Sequence, residues 1–262
     1  MVSIYKAVSD LEAQLKSGAL CTIVHTTGST PRHETSKMLV YPDGTLIGTV
    51  GGGEVEGRVI SEALDSIKDN KSRKLQYKMV NPKEGDPGIC GGQLEIYIEP
   101  IVPQLLLVIG GGHVGKCVSH LAKWLGFQVA VSDDRPEFCS TEANPDADLL
   151  LPVRMAEIPN FIDITPFTYI VLTTRGAPID IEGIPPLLDS KAGYIGVIGS
   201  RRRWITTRKG LQEAGVSEEA INRIHSPIGL ELQAETPEEI AVSIMAEIIM
   251  LRNGGSGRSM KS

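Results

Sequence analysis

Apolar and polar positions change rhythm along this chain, and the changes mark its elements. Between 3 and 17, Ile4, Val8, Leu11 and Leu15 fall on one face at helical spacing, which predicts an amphipathic helix. LCTIVHTTGSTPR then reads as a strand running into a polar loop. SKMLVYPDGTLIGTV places two apolar strands around Pro42-Asp43-Gly44, which predicts a hairpin. Gly51-Gly52-Gly53 precedes a helical stretch whose Val55, Val59, Ile60, Ala63, Leu64 and Ile67 form a buried stripe. RKLQYKMV predicts a strand, NPKEGDPGICGG a loop, and QLEIYIEPI an alternating strand.

Beyond the proline-bearing stretch EPIVPQ the pattern differs. Short continuous apolar runs near 105–109, 128–132, 148–151, 168–173 and 194–198 alternate with longer stretches. Runs without alternation belong to strands buried on both faces, so a parallel sheet is expected. Over 114–125, Val114, Val118, Leu121, Ala122 and Leu125 point inward from a helix. The last helix opens with a capping box: Thr236 at the cap, Pro237 in the first position, Glu239 three residues on. Gly254 and Gly255 end it. The chain therefore reads as α/β: a small α+β N-terminal domain over 1–100, a Rossmann-like parallel-sheet domain over 101–252, and a disordered tail over 253–262.

Composition narrows the function classes. The 262 residues carry 41% hydrophobic side chains, enough for real cores, and a net charge of −6, which argues against a nucleic-acid partner. Cys21, Cys90, Cys117 and Cys139 have neither zinc-ligand nor redox spacing, so no structural metal is expected. The N-terminus lacks the apolar core of a signal peptide, and no apolar run is long enough to span a membrane. A cytoplasmic setting is expected.

The run LLLVIGGGHVGKCVSHLAKWLGFQVAVSDDR carries the chemistry. Strand, three-glycine loop, helix, strand and acids follow in the order of a dinucleotide-binding fingerprint. Gly110 makes the turn, Gly112 lets backbone approach a pyrophosphate, and Gly115 lets helix and strand pack closely. The amides around His113 and Val114 face the phosphates. Asp133 and Asp134 lie roughly 20 residues on, where an acid holds ribose hydroxyls. Arg135 pairs with a 2′-phosphate or with a surface acid.

Other loops are candidates. Ser29 and Arg32 in GSTPR suit an anion, or an ordinary polar connection. Gly51, Gly52, Gly53 and Glu54 sit at a helix start; Glu54 equally complements the helix dipole. Cys90 with Gly91 and Gly92 reads evenly as a sulfur-handling thiol or a small buried hydrophobe. Arg175, Gly199 and Ser200 follow predicted strands, where open parallel sheets bind ligands. The arginine run from Arg201 to Arg203 has a solvated helix start as its commoner meaning. His225 precedes the last helix. No triad, HExxH or P-loop is present, which favours a carrier or maturation protein over a turnover enzyme.

GSTPR, KMLVYPDGTLIGTVGGGEVEG, CGGQLEIYIEP, IGGGHVG, VSDDRPEF, TTRG, IGSRRR and RIHSPIGLELQAETPEEIAVSIMAEII, in that order, resemble the XdhC/CoxI family of xanthine dehydrogenase accessory proteins. The resemblance implies binding of the molybdenum cofactor, as molybdopterin or its dinucleotide. It also implies sulfuration with a cysteine desulfurase, and delivery to an apo molybdenum hydroxylase of the xanthine dehydrogenase type. A homodimer is implied as well. By match to the family's CGG, Cys90 is the position expected to touch the metal end or its sulfur chemistry. Three departures stand out: Thr35 where relatives have glycine, Ala177 where they have histidine, and Gly111 where alanine often separates the two glycines. The fingerprint alone supports two rival readings, an NAD(P)-dependent oxidoreductase and a nucleotide-responsive sensor.

Overall fold

The computed structural model describes residues 3–79 and 91–261. It divides into two compact units, Met1–Pro103 and Gln104–Ser262.

The first unit is built on an antiparallel sheet of β1 (Gly18–Thr27), β2 (Lys37–Val40), β3 (Leu46–Gly48), β4 (Arg73–Lys78) and β5 (Gln93–Ile101). Their spatial order is β3-β2-β1-β5-β4. Alternation explains the core. Leu94, Ile96 and Ile98 of β5 point to one face and are buried with Val55, Val59 and Ala63 of α2 (Gly53–Asp69). The predicted hairpin is β2 and β3, turned at a left-handed Gly44. The first helix, α1 (Ile4–Ala13), stops short of the expected 17. Leu15 takes φ 55°, and Lys16 N–H bonds back to the Leu11 carbonyl, which closes the helix before Gly18.

The second unit is a parallel sheet of β6 (Leu105–Ile109), β7 (Gln128–Ser132), β8 (Leu149–Leu151), β9 (Thr168–Leu172), β10 (Tyr194–Val197) and β11 (Ile224–His225). Its order, β11-β10-β9-β6-β7-β8, is the doubly wound 3-2-1-4-5-6 arrangement, with the direction reversing between β6 and β9. All residues of β6 and β9 are buried, as their unbroken apolar runs require. α3 (His113–Trp124) and α7 (Pro237–Asn253) pack together and share one core with β6, β7 and β9. Ile244, Met245 and Ile248 of α7 are essentially inaccessible. Each such side chain stabilises by roughly 1.5–3 kcal/mol. The described residues of the unit also include α4 (Ala177–Leu188), α5 (Arg201–Glu213) and the short α6 (Glu218–Ile221).

Candidate functional site

In the first unit three loops meet at one end of the sheet. Thr27 and Gln93 are register partners, so Gly28 and Gly92 leave β1 and enter β5 side by side. The approach is close. A Cβ on Gly92 would stand 2.2 Å from the Ser29 carbonyl oxygen, and one on Gly28 3.0 Å from the Gly91 carbonyl oxygen. Pro31 lies against Gly51, within 3.3 Å of where its Cβ would be. Gly28 to Pro31, the glycine turn Gly51–Gly53 that opens α2, and Gly91-Gly92 thus form one cradle, with Arg32 next in the chain after Pro31. Cys90 lies outside the described residues.

Polar groups within the cradle are partly used. Glu56 orders the glycine turn. Its Oε2 accepts from Val50 N–H at 3.2 Å, from Gly52 N–H at 3.3 Å, and from the Thr49 hydroxyl. Glu54 forms an exposed ion pair with Arg58 one turn on. Gly52 offers α2 no side-chain cap, so first-turn amides face outward. Thr35 adopts φ 71° beside the β1 bulge at Ile23/His25, the conformation that suits the family's glycine.

In the second unit each fingerprint glycine has a distinct physical reason. A Cβ on Gly115 would stand 1.9 Å from the Gly110 carbonyl oxygen, and one on Gly110 2.6 Å from that of Thr173. At Gly111 it would stand 2.0 Å from the Phe138 carbonyl oxygen, so the missing alanine is a packing requirement here. Asn144 ties these segments together, donating to the carbonyls of Phe138 and Gly111 at 2.8 and 3.2 Å. Gly112 alone of the four meets nothing within 4 Å. It caps α3 without a side-chain bond, leaving the start of α3, with His113 and Val114, open to an anion.

A cleft of about 420 Å³ opens at the carboxyl ends of β6, β7, β8 and β9, where the strand order reverses. Its floor is Ile109 and Gly110; Asp133, Asp134, Arg135 and Arg175 are among its walls. Asp133 is buried and fully engaged. It accepts from Gly111 N–H at 3.0 Å, from Arg135 N–H at 3.1 Å, and from both ends of the Arg135 fork at 2.9 Å. Burial raises its pKa, but the Arg135 and backbone bonds outweigh that and hold it below the usual carboxylate value. Arg135 lies 3.8 Å over the Phe138 ring. Asp134 is exposed and pairs with Arg175 at 2.9 Å.

The remaining sequence candidates serve the frame. Ser200 caps α5 by accepting from Arg203 N–H. Gly199 has φ 140° and lies under the Arg203 side chain. Arg203 is not solvated: it bonds Asp180, which is wholly buried, at 2.7 Å and the Thr174 carbonyl at 3.0 Å. His225 stacks on Tyr194 at 4.7 Å. The three described cysteines are not thiolate candidates: burial lifts Cys21 to about 12 and also raises Cys117 and Cys139. Among the described residues no cluster suits a metal ion, and no helix is long and apolar enough to cross a membrane.

Residues 106–248 match the XdhC Rossmann domain, and residues 11–78 match the XdhC and CoxI family. The chain belongs to the XdhC and CoxI family. It is 35% identical over 99% of its length to the uncharacterized protein YqeB of Escherichia coli K12, covering 48% of that protein. It is 33% identical over 60% of its length to a probable xanthine dehydrogenase subunit of Bacillus subtilis 168, covering 46% of it. The chain thus spans about half the length of these two relatives. The molybdenum cofactor insertion chaperone PaoD of Escherichia coli K12 is 24% identical over 90% of the chain and 84% of PaoD. In fold, this XdhC/CoxI member resembles the crystal structure of a xanthine dehydrogenase from Bacillus halodurans, with a TM-score of 0.52 and 22% identity, over 100% of this chain and 98% of that one.

Proposed function

We propose that this chain is an accessory protein that binds the molybdenum cofactor and assists its sulfuration and insertion into an apo-hydroxylase of the xanthine dehydrogenase type. A cysteine desulfurase is the sulfur donor in this reading, and the working form is a homodimer. Membership of the XdhC and CoxI family and likeness to an insertion chaperone support it.

One observation carries the reading: the loops of Ser29 and Arg32, Gly51–Gly53 and Gly91–Gly92 converge, with close approaches at Gly28, Gly51 and Gly92 and open space at Gly52, Gly53 and Gly91. The donors suit a pterin phosphate. Among the described residues Arg32 has no acid partner, and the α2 amides lack a cap. Arg32 and Ser29 would hold the phosphate while the bare glycine backbone lies against the ring system. When bound, the cofactor would supply a molybdenum centre able to carry a terminal sulfur. By its match to the family's CGG, Cys90 is the cysteine that would meet that end.

The deciding experiment is molybdenum and pterin content after anaerobic purification from a host that makes the cofactor, with Cys90→Ala and Arg32→Ala in parallel. Stoichiometric pterin in the wild type, reduced in the variants, is the expected result. No pterin in any of them, with NAD(P) carried through instead, overturns it. The doubly wound strand order is shared with a rival reading, an NAD(P)-dependent oxidoreductase or a nucleotide-responsive sensor. Among the described residues the cleft walls offer only the carboxylates Asp133, Asp134 and Glu182 as proton-moving groups, and turnover of a carbonyl substrate with NADH or NADPH would be needed to support that enzyme.

A further inference from the structure

A dinucleotide lies across the point where strand order reverses, one nucleotide on each side. The two sides of this sheet are unequal. Over β6, β7, β8 and the end of β9 lies the open cleft of about 420 Å³. Past the end of β10 the space is taken by the protein's own side chains.

Arg203 does most of this. Its stem lies on Gly199 past the end of β10, where a Cβ would stand 2.7 Å from Arg203 Cδ. Its guanidinium reaches the loop after β9, donating to the Thr174 carbonyl at 3.0 Å and to Thr174 Oγ1 at 2.6 Å. Asp180, wholly buried, accepts from the same guanidinium at 2.7 and 3.3 Å. A side chain fixed by that many bonds to a buried carboxylate is expensive to move. At β10 itself, Ser226 Oγ and Ile228 N–H both donate to the Val197 carbonyl, at 3.1 and 3.2 Å. The Ile228 side chain fills the space beside Gly196.

We infer that the Rossmann cleft is a mononucleotide site, one that takes a nucleoside diphosphate and has no room for the second nucleoside of NAD(P). The base lies against the apolar wall of Val153, Met155 and Ile179. Asp133 has its four acceptor positions filled, so the sugar is read at the rim by Asp134 and Arg175. The phosphates lie where Gly110 leads into the open start of α3. This goes beyond the accessory role and does not depend on it, because pterin content and nucleotide binding are measured separately.

The test uses the full chain and the fluorescent probe N-methylanthraniloyl-ADP, displaced in turn by ADP, NAD+ and NADP+. ADP is expected to displace the probe at an about ten-fold lower concentration than either dinucleotide, a difference of about 1.4 kcal/mol. Gly112→Val should lose the probe while keeping the wild-type melting temperature. NAD+ or NADP+ competing as well as ADP overturns the inference. So does a wild-type protein that does not bind the probe. The wild-type comparison decides even if the variant is unstable.

Discussion

Asp133 and Arg135 are joined twice, Nε to Oδ1 and Nη2 to Oδ2, both at 2.9 Å. The same carboxylate holds the Gly111 amide, so one buried acid ties the end of β7 to the glycine loop. Its pKa is depressed in the folded protein. A depressed carboxylate contributes stability above its unfolded value of about 3.9 and loses it as pH falls through the folded value. Asp133→Asn should therefore cost ~2 kcal/mol at neutral pH. Urea denaturation at neutral pH and again near pH 3 checks the sign: the gap between wild type and variant should narrow on acidification. A gap of constant size would assign the cost to packing rather than charge.

Gly112 and Gly115 differ only by one helical turn, yet they should respond oppositely to a methyl group. Gly115→Ala places a Cβ 1.9 Å from the Gly110 carbonyl oxygen, so loop and helix must separate. A loss of about 2–4 kcal/mol, read as a clear fall in melting temperature, is expected. Gly112→Ala meets nothing within 4 Å and has φ −71°, which any residue adopts. Its melting temperature should match the wild type within experimental scatter. Equal destabilisation by both would mean that Gly112 is a packing glycine as well.

Thr35 holds a left-handed backbone with a β-branched side chain, at φ 71°. That conformation costs an L-residue roughly 1–2 kcal/mol, and glycine gives part of this back as unfolded-state entropy. Thr35→Gly should stabilise the chain by about 0.5–1 kcal/mol. The readout is the urea midpoint, which should rise with an unchanged slope. A lower midpoint would show that the Thr35 side chain makes a compensating contact.

Much of the second sheet can be read directly from the chain. β6 and β7 coincide with the apolar runs at 105–109 and 128–132, because strands buried on both faces need unbroken runs and glycines bound them. α4 and α5 carry no comparable signal. Pro185 and Pro186 lie inside α4, and only Thr207 and Leu211 are buried along α5. That gap hid Asp180, and without Asp180 the third arginine of a polar run looks solvated. In the candidate site, glycine spacing revealed which loops matter, because close approach selects glycine. It did not reveal that Asp133 turns inward or that Ser200 is a cap. Those roles depend on neighbours 22 residues away for Asp133 and on helix α5 for Ser200.

Glu54 and Glu56 give the sharpest test of the glycine turn. Position at a helix start singles out Glu54, but its partner is the exposed Arg58. Such a surface pair is worth less than about 1 kcal/mol, so Glu54→Ala should be nearly silent. Glu56 instead accepts from Thr49, Val50 and Gly52 with a single oxygen. Removing it leaves amides of the turn without an acceptor, at a cost of about 1–3 kcal/mol. Glu56→Ala should therefore lower stability and speed hydrogen exchange at Val50 and Gly52, while exchange in β4 and β5 stays slow. If the cradle holds a ligand, the same variant should weaken retention more than Glu54→Ala does, since the loosened turn must be ordered again on binding. Equal exchange in the two variants would remove Glu56 from any role in ordering the site.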